Sequence, residues 1–129
     1  MKSSPRIVVS LVAGLVCLSA LGVFSSTAGA LTEAQANAAQ TRENIHTLQV
    51  AIQSYAVDNG DVYPPFVSNW QFRTLLGFYI DSWPINPYTD HRMRQKRNAG
   101  NFRYVTHDDG TSFRLIGWGR HHRRIIVVP

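Results

Sequence analysis

The chain has 129 residues, of which 44% are hydrophobic, and it carries a formal net charge of +5. This length and composition are typical of one small folded domain with an additional targeting or anchoring segment. The single cysteine, Cys17, excludes an intrachain disulfide; because it lies within an apolar run, we expect a buried or lipid-facing side chain.

Residues 1–30 allow two interpretations. Basic residues precede an apolar run over 7–24, and small residues follow at 28–30, as in a secretory signal that is cleaved after Ala30. The same apolar run is just long enough to be a membrane-spanning helix. This segment is therefore predicted to be either an apolar anchor or a signal peptide.

Apolar side chains spaced by three and four positions predict an amphipathic helix over residues 31–60. The stripe consists of Ile45, Leu48, Ile52 and Tyr55. Polar residues, Asn44 among them, are expected to cover the other faces. The alanine-rich part at 34–39 has high helix propensity but little apolar area, so we expect it outside the core. Continued backwards, one helix would extend from Ile7 to Asp58.

The end of this helix is predicted at Asn59–Gly60. Both residues tolerate the left-handed conformation that caps a helix C-terminus. The prolines at Pro64 and Pro65 then prevent the helix from resuming.

Residues 61–129 are predicted to form a β-rich head. A short helix or turn at 66–77 is expected to lay aromatic side chains on it. Three strands follow, and Asp109–Gly110 and Gly117-x-Gly119 are expected to be turns. The predicted strands are 102–106, 112–118 and 125–128. The predicted fold class is α+β, a long N-terminal helix packed on a small antiparallel β-sheet, because neither apolar face can be buried alone. Trp70, Trp83 and Trp118 are expected in the core.

Two motifs resemble the head of type II secretion pseudopilins and related type IV pilin-like proteins. The first is a tyrosine followed by Asp-Asn-Gly and Tyr-Pro, met here by Tyr55, Asp58, Asn59, Gly60, Tyr63 and Pro64. The second is similar to the Trp-Pro-x-Asp-Pro-Trp segment of the major pseudopilin, met by Trp83, Pro84 and Pro87, with Asn86 and Tyr88 replacing the aspartate and the second tryptophan. The resemblance extends over residues 40–118.

This resemblance implies a pilin-like fold and a non-enzymatic subunit or accessory protein of a type II secretion or type IV pilus-like system. Its implied partners are other subunits of that system. The implied location is the bacterial inner membrane facing the periplasm, held by residues 7–24, or the periplasm and exterior if Ala30 ends a cleaved signal. The position of the apolar run relative to Tyr55 favours retention.

The N-terminus departs from the pattern of this family. Pilins are cut after a glycine that precedes Phe-Thr-Leu-x-Glu, and this chain has no such sequence. Ser10 stands near the position of the glutamate. Because a charge in lipid is costly unless it is paired, the absence of the glutamate suits an anchor or minor subunit better than a repeating filament core.

No catalytic constellation is recognisable in the sequence. The histidines are scattered apart from one pair, and there is neither a nucleophile elbow nor a phosphate-binding glycine loop. We therefore expect no enzyme activity and no cofactor. Heads of the resembled family bind calcium in a late acidic loop, but residues 119–124 are basic here. We expect no metal site, and a plain turn at Asp108–Asp109–Gly110.

Charge is concentrated in the second half of the chain. From Asp90 onward there are nine Lys and Arg but three Asp and Glu, a net charge of +6. The cations form two runs, Arg92, Arg94, Lys96 and Arg97, and then Arg120, Arg123 and Arg124. Such runs are typical of a solvated surface, and also of a surface for nucleic acid or anionic lipid.

Two further functions remain open beside the pilin-like subunit. One is a nucleic-acid-binding module of the minor-pilin type that uses the two basic runs. The runs lack the interleaved aromatic residues of a single-strand binding groove, which favours the structural subunit. The other is a secreted soluble domain that has kept the fold and lost filament assembly.

Overall fold

A computed structural model of the protein describes residues 21–107 and 109–129, with side chains from Thr32 onward. The predictions made on residues 7–20, which include Ser10 and Cys17, and on Asp108 lie outside the described residues. The elements in chain order are α1 (Leu21–Asp58), α2 (Asn69–Leu76), β1 (Phe102–Thr106), β2 (Phe113–Trp118), a 3-10 turn (Arg120–His122) and β3 (Arg124–Val128).

The fold is α+β, with one long helix and a three-stranded antiparallel sheet in the order β1-β2-β3. This confirms the predicted class. Strand β1 has the predicted bounds, while β2 begins one residue later and β3 one residue earlier than predicted. Among the described residues, no helix is both apolar enough and long enough to cross a membrane.

The C-terminal part of α1 packs on the sheet through the predicted stripe. Its fully buried apolar residues are Ile45, Leu48, Ala51 and Ile52, and Tyr55 is half-buried. No side chain of residues 32–40 is buried, so the alanine-rich part lies outside the core as predicted. The helix ends at Asp58, and Gly60 follows with φ +68°, a conformation that suits glycine. This confirms the predicted end.

Gly117 sets the distance between helix and sheet. It lies within β2, where a Cβ atom would come within 2.8 Å of Ile45 Cγ1 and 2.7 Å of Ile126 Cγ2. The prediction of a turn at this glycine was wrong, because the side-chain-free position is used for close packing. The chain turns instead after Gly119, whose N–H donates to the Arg123 carbonyl at 2.7 Å.

Helix α2 closes one side of the core. A capping box at its start joins Ser68 and Gln71, and the helix then buries Phe72 and Leu76, which are four positions apart. Trp70 is 65% exposed, so its assignment to the core was wrong. It precedes Phe72 by two positions, which places it on the opposite side of a helix with 3.6 residues per turn.

Replacing Ile52 by Ala should lower the free energy of unfolding by about 2–5 kcal/mol, because a fully buried branched side chain leaves a cavity. Urea denaturation would measure the change. Val50→Ala is the matched control on the same helix, since Val50 is 60% exposed and should shift stability by less than about 0.5 kcal/mol. Equal effects of the two variants would contradict the packing of this helix face.

Candidate functional site

The first family-like motif lies where α1 meets the head. Asn59 donates its side-chain amide to the Tyr55 carbonyl at 2.8 Å, which ties the turn back to the last helical turn. The Tyr55 ring meets Tyr79 edge-on, with centroids 5.9 Å apart. Asp58 and Gly60 are exposed and form the end of the helix and the turn. These residues join the helix to the head.

The same motif continues onto the sheet. Tyr63 packs on Phe113 with ring centroids 4.6 Å apart, and its N–H donates to the Gly110 carbonyl at 2.9 Å. Pro64 is buried, and its carbonyl accepts a 2.7 Å hydrogen bond from the buried Tyr104 hydroxyl. The segment after the helix is therefore fastened to β1 and to the turn before β2.

The second motif organises the loop between α2 and β1. Asn86 is 1% exposed; its amide nitrogen donates to the Ala99 carbonyl at 2.8 Å, and its amide oxygen accepts from Tyr88 N–H at 2.8 Å. At Gly100, a Cβ atom would lie within 1.9 Å of that oxygen. Asn86 stands where the resembled family has an aspartate. Its amide nitrogen donates a hydrogen bond that an ionised carboxylate could not donate.

The flanking residues of this motif support the loop. Trp83 Nε1 donates to the Met93 carbonyl at 2.9 Å, and the Pro84 carbonyl accepts from Met93 N–H at 2.9 Å. Pro87 is half-buried beside α1.

Asn44 was expected on an outer face of the helix, and this was wrong. The loop covers it, and its amide donates to the Ile85 carbonyl at 2.7 Å.

The described histidines and acids do not assemble a metal centre. No three His, Cys, Asp or Glu side chains among the described residues converge as metal ligands would. Asp109 is instead part of a turn, and its carboxylate accepts from Thr111 N–H at 3.0 Å. Hydrogen bonding by Thr111 lowers the pKa of the Asp109 carboxyl group.

The structure divides the predicted basic runs between two places. Arg92 and Arg94 line a cavity beside α2 together with Arg73. Arg97 lies on the far side of the same loop and faces the sheet. Lys96, Arg120 and Arg123 are exposed, the last two in the turn between β2 and β3. Arg92 and Arg94 of the first run therefore lie beside α2, whereas Arg97 of that run and Arg124 of the second line a common surface.

A different basic surface forms on the face of the sheet that points away from α1. We call it the arginine face, and its cations are Arg97, Arg103, Arg114 and Arg124. Its centre is apolar and consists of Val105, Ile116, Trp118 and Val127. The strand register explains this grouping, because Arg103 pairs with Ile116, Val105 with Arg114, and Trp118 with Arg124. Alternate residues point to opposite faces, so Phe102 and Tyr104 enter the core.

Arg97 covers the aromatic residue of this face. Its guanidinium carbon lies 4.9 Å from the centroid of the Trp118 ring, within the range of a cation–π interaction. Trp118 is only 3% exposed, and its buried indole N–H has no hydrogen-bond partner in the described part of the chain. A buried donor without an acceptor is uncommon in native proteins.

The turn between β2 and β3 holds Arg97 in this position. His122 Nδ1 lies 2.6 Å from the Arg97 carbonyl oxygen, so this nitrogen carries the proton and donates it. Both His121 and His122 have φ of 55°, in the left-handed region that non-glycine residues rarely occupy. Backbone strain is therefore located beside the arginine face.

Two of the four arginines on this face were missed by sequence reasoning. Arg103 and Arg114 belong to strands and not to a basic run, so only their alternation with buried neighbours could have placed them together. The basic runs lack interleaved aromatic residues in the sequence, but folding brings one aromatic residue, Trp118, under Arg97.

Comparisons with protein-family models, with curated proteins and with solved structures find no match for this chain. Its function is therefore inferred from its own residues.

Replacing Asn86 by Asp should lower the free energy of unfolding by about 2–3 kcal/mol at neutral pH, because a buried carboxylate would face the Ala99 carbonyl without a proton to donate. Burial disfavours the charged form, so the pKa of the new carboxyl group would be raised in the folded state. The deficit should then shrink as pH falls toward 4. Thermal unfolding between pH 4 and 8 measures this.

Asn98→Asp is the matched control for this charge change. Asn98 is exposed, and its side-chain oxygen already accepts from Asn101 at 2.7 Å, which a carboxylate can also do. We expect a shift within about 0.5 kcal/mol. If both variants lose the same stability, the Asn86 hydrogen bonds do not organise the loop.

Burial raises the pKa of Tyr104 to about 12. Because the unfolded chain ionises near the ordinary value of 10, this residue should contribute its full stability below pH 10 and lose it between pH 10 and 12. The loss should reach about 2–3 kcal/mol in the wild type. Tyr104→Phe should cost about 1 kcal/mol at pH 7 through the unpaired Pro64 carbonyl, and should show a smaller alkaline loss.

Tyr88→Phe serves as the control in the same pH series, since it leaves the Tyr104 hydroxyl in place. An alkaline transition that is as large in Tyr104→Phe as in the wild type would assign the effect to other groups.

Proposed function

We propose that the chain is a non-enzymatic, pilin-like subunit or accessory protein of a type II secretion or type IV pilus-like system, working at the bacterial inner membrane and in the periplasm. The observation that carries this proposal is the division of α1 into two parts. The part after Thr41 is buried on the sheet, whereas residues 32–40 have no buried side chain. The helix continues N-terminally as far as Leu21, and the part before Thr41 spans roughly 30 Å.

A helix of this kind has little reason to persist alone. Isolated helices are marginal in water, and most helical stability in proteins comes from tertiary packing. The alanine-rich surface of residues 32–40 presents small side chains over which another helix can approach closely. A neighbouring subunit or a membrane would supply the packing that the head does not.

The residues that carry the family resemblance support the same proposal. Tyr55, Asn59, Tyr63 and Pro64 join the helix to the sheet, and Trp83 to Pro87 fold the loop that covers the side of the helix. These are roles in holding a head on a helix. The mechanism would be mechanical, in which α1 holds the protein in a membrane or a filament and the head presents its surface to neighbours or cargo.

A photoreactive amino acid in place of the exposed Ala36 should cross-link the protein to another secretion-system subunit in the native cell, because this part of α1 is proposed to pack outside its own head. The same amino acid in place of the exposed Thr74, on α2, is the matched control and should give little cross-linking. Mass spectrometry of the adducts identifies the partner. Adducts confined to lipid or absent at both positions would contradict a packed subunit.

The fate of the N-terminus separates this proposal from a secreted domain. A membrane-held subunit should sediment with membranes, resist carbonate extraction and retain residues before Leu31 by intact mass. A soluble periplasmic species that begins at Leu31 would instead support a secreted domain that has lost assembly.

A further inference from the structure

We propose that the arginine face binds single-stranded nucleic acid, with phosphates on its four arginines and bases against its apolar centre. This surface is separate from the exposed part of α1 that the proposed subunit role depends on. The charge of the face, the chemistry of its arginines and its exposed apolar centre support this assignment.

Among the described residues, the charged side chains that line the face are all cationic. No Asp or Glu side chain among the described residues lines it, and none of its four arginines forms an ion pair with another described residue. Four guanidinium groups without an ionic partner among the described residues create a positive potential that attracts polyanions. A phosphate backbone offers the repeated negative charge that matches four adjacent cations.

The cations of the face are all arginines, and this favours phosphate as the ligand. A guanidinium group is planar, carries five N–H donors and binds phosphate in a two-pronged manner while its plane stacks on aromatic rings. Arg97 already lies over Trp118, so its position is fixed before any ligand binds.

The apolar centre favours a single strand over a duplex. Val105 is 38% exposed and Val127 is 48% exposed, and both lie between the arginines. A duplex presents phosphates to a flat sheet and hides its base faces by stacking, so these side chains would contact nothing suitable. A single strand exposes base faces that pack on apolar and aromatic side chains beside a cationic track.

Fluorescence anisotropy of a labelled oligothymidylate with the full chain in detergent would test the proposal. We expect binding whose logarithmic dependence on salt has a slope of about −2 to −3, as three or four phosphate contacts on a single strand would give. An unlabelled duplex of equal length should compete at least about tenfold more weakly.

The double variant Arg103→Ser with Arg114→Ser should weaken binding about tenfold at low salt and make the slope shallower by about 1.4, the value for two lost contacts. Both side chains are exposed, so the free energy of unfolding should be unchanged. The matched control is Arg73→Ser with Arg92→Ser, which removes the same charge from the cavity beside α2. It should change affinity by less than about twofold.

Three results would overturn the proposal. Equal loss in the two double variants would show attraction by net charge alone. Equal affinity for duplex and single strand would remove the role of the apolar centre. Binding of a glutamate-rich peptide or of phosphatidylglycerol vesicles through Arg103 and Arg114, without oligothymidylate binding, would assign the face to an acidic protein or a membrane. These measurements test only the head. A negative result would therefore not contradict the proposed subunit role, which the cross-linking of α1 tests separately.

Discussion

The close approach of α1 to β2 is the contact on which the rest of the molecule depends. Gly117 has no side chain, so Ile45 sits directly on β2, and the buried residues that continue to Ile52 belong to one core cluster with residues of all three strands. Because strand side chains alternate, burying Phe102, Tyr104 and Leu115 in the core places Arg103 and Arg114 on the outer face. The same strand register therefore determines which side chains enter the core and which arginines form the arginine face.

The loop around Asn86 lies outside the helices and strands, and hydrogen bonds fix its conformation. Its hydrogen bonds close residues 86–99 on themselves, and Asn44 attaches the loop to the helix through the Ile85 carbonyl. Arg97 belongs to this loop and precedes β1, and it lies over Trp118 on the outer face of the sheet. The amide oxygen and the amide nitrogen of the buried Asn86 both have partners, which a buried polar side chain needs in order to stabilise the loop.

The parts that local pattern determines were predictable. The period of the α1 stripe and the Asn59–Gly60 cap give the helix and its end, and the β-branched runs give three strands within one residue of their bounds. What sequence reasoning missed depends on tertiary neighbours. Asn44 reads as a surface residue until a distant loop covers it, and Arg103 and Arg114 become neighbours only through a cross-strand register that no single segment encodes.

His121 and His122, which are both in the left-handed conformation, lie in the turn beside the arginine face. Two side-chain-bearing residues in this conformation cost about 1–3 kcal/mol each, which glycine would largely recover. A turn selected for stability alone would therefore have a different composition. Because His122 donates to the Arg97 carbonyl, the backbone cost of this turn is coupled to the position of the segment that carries Arg97.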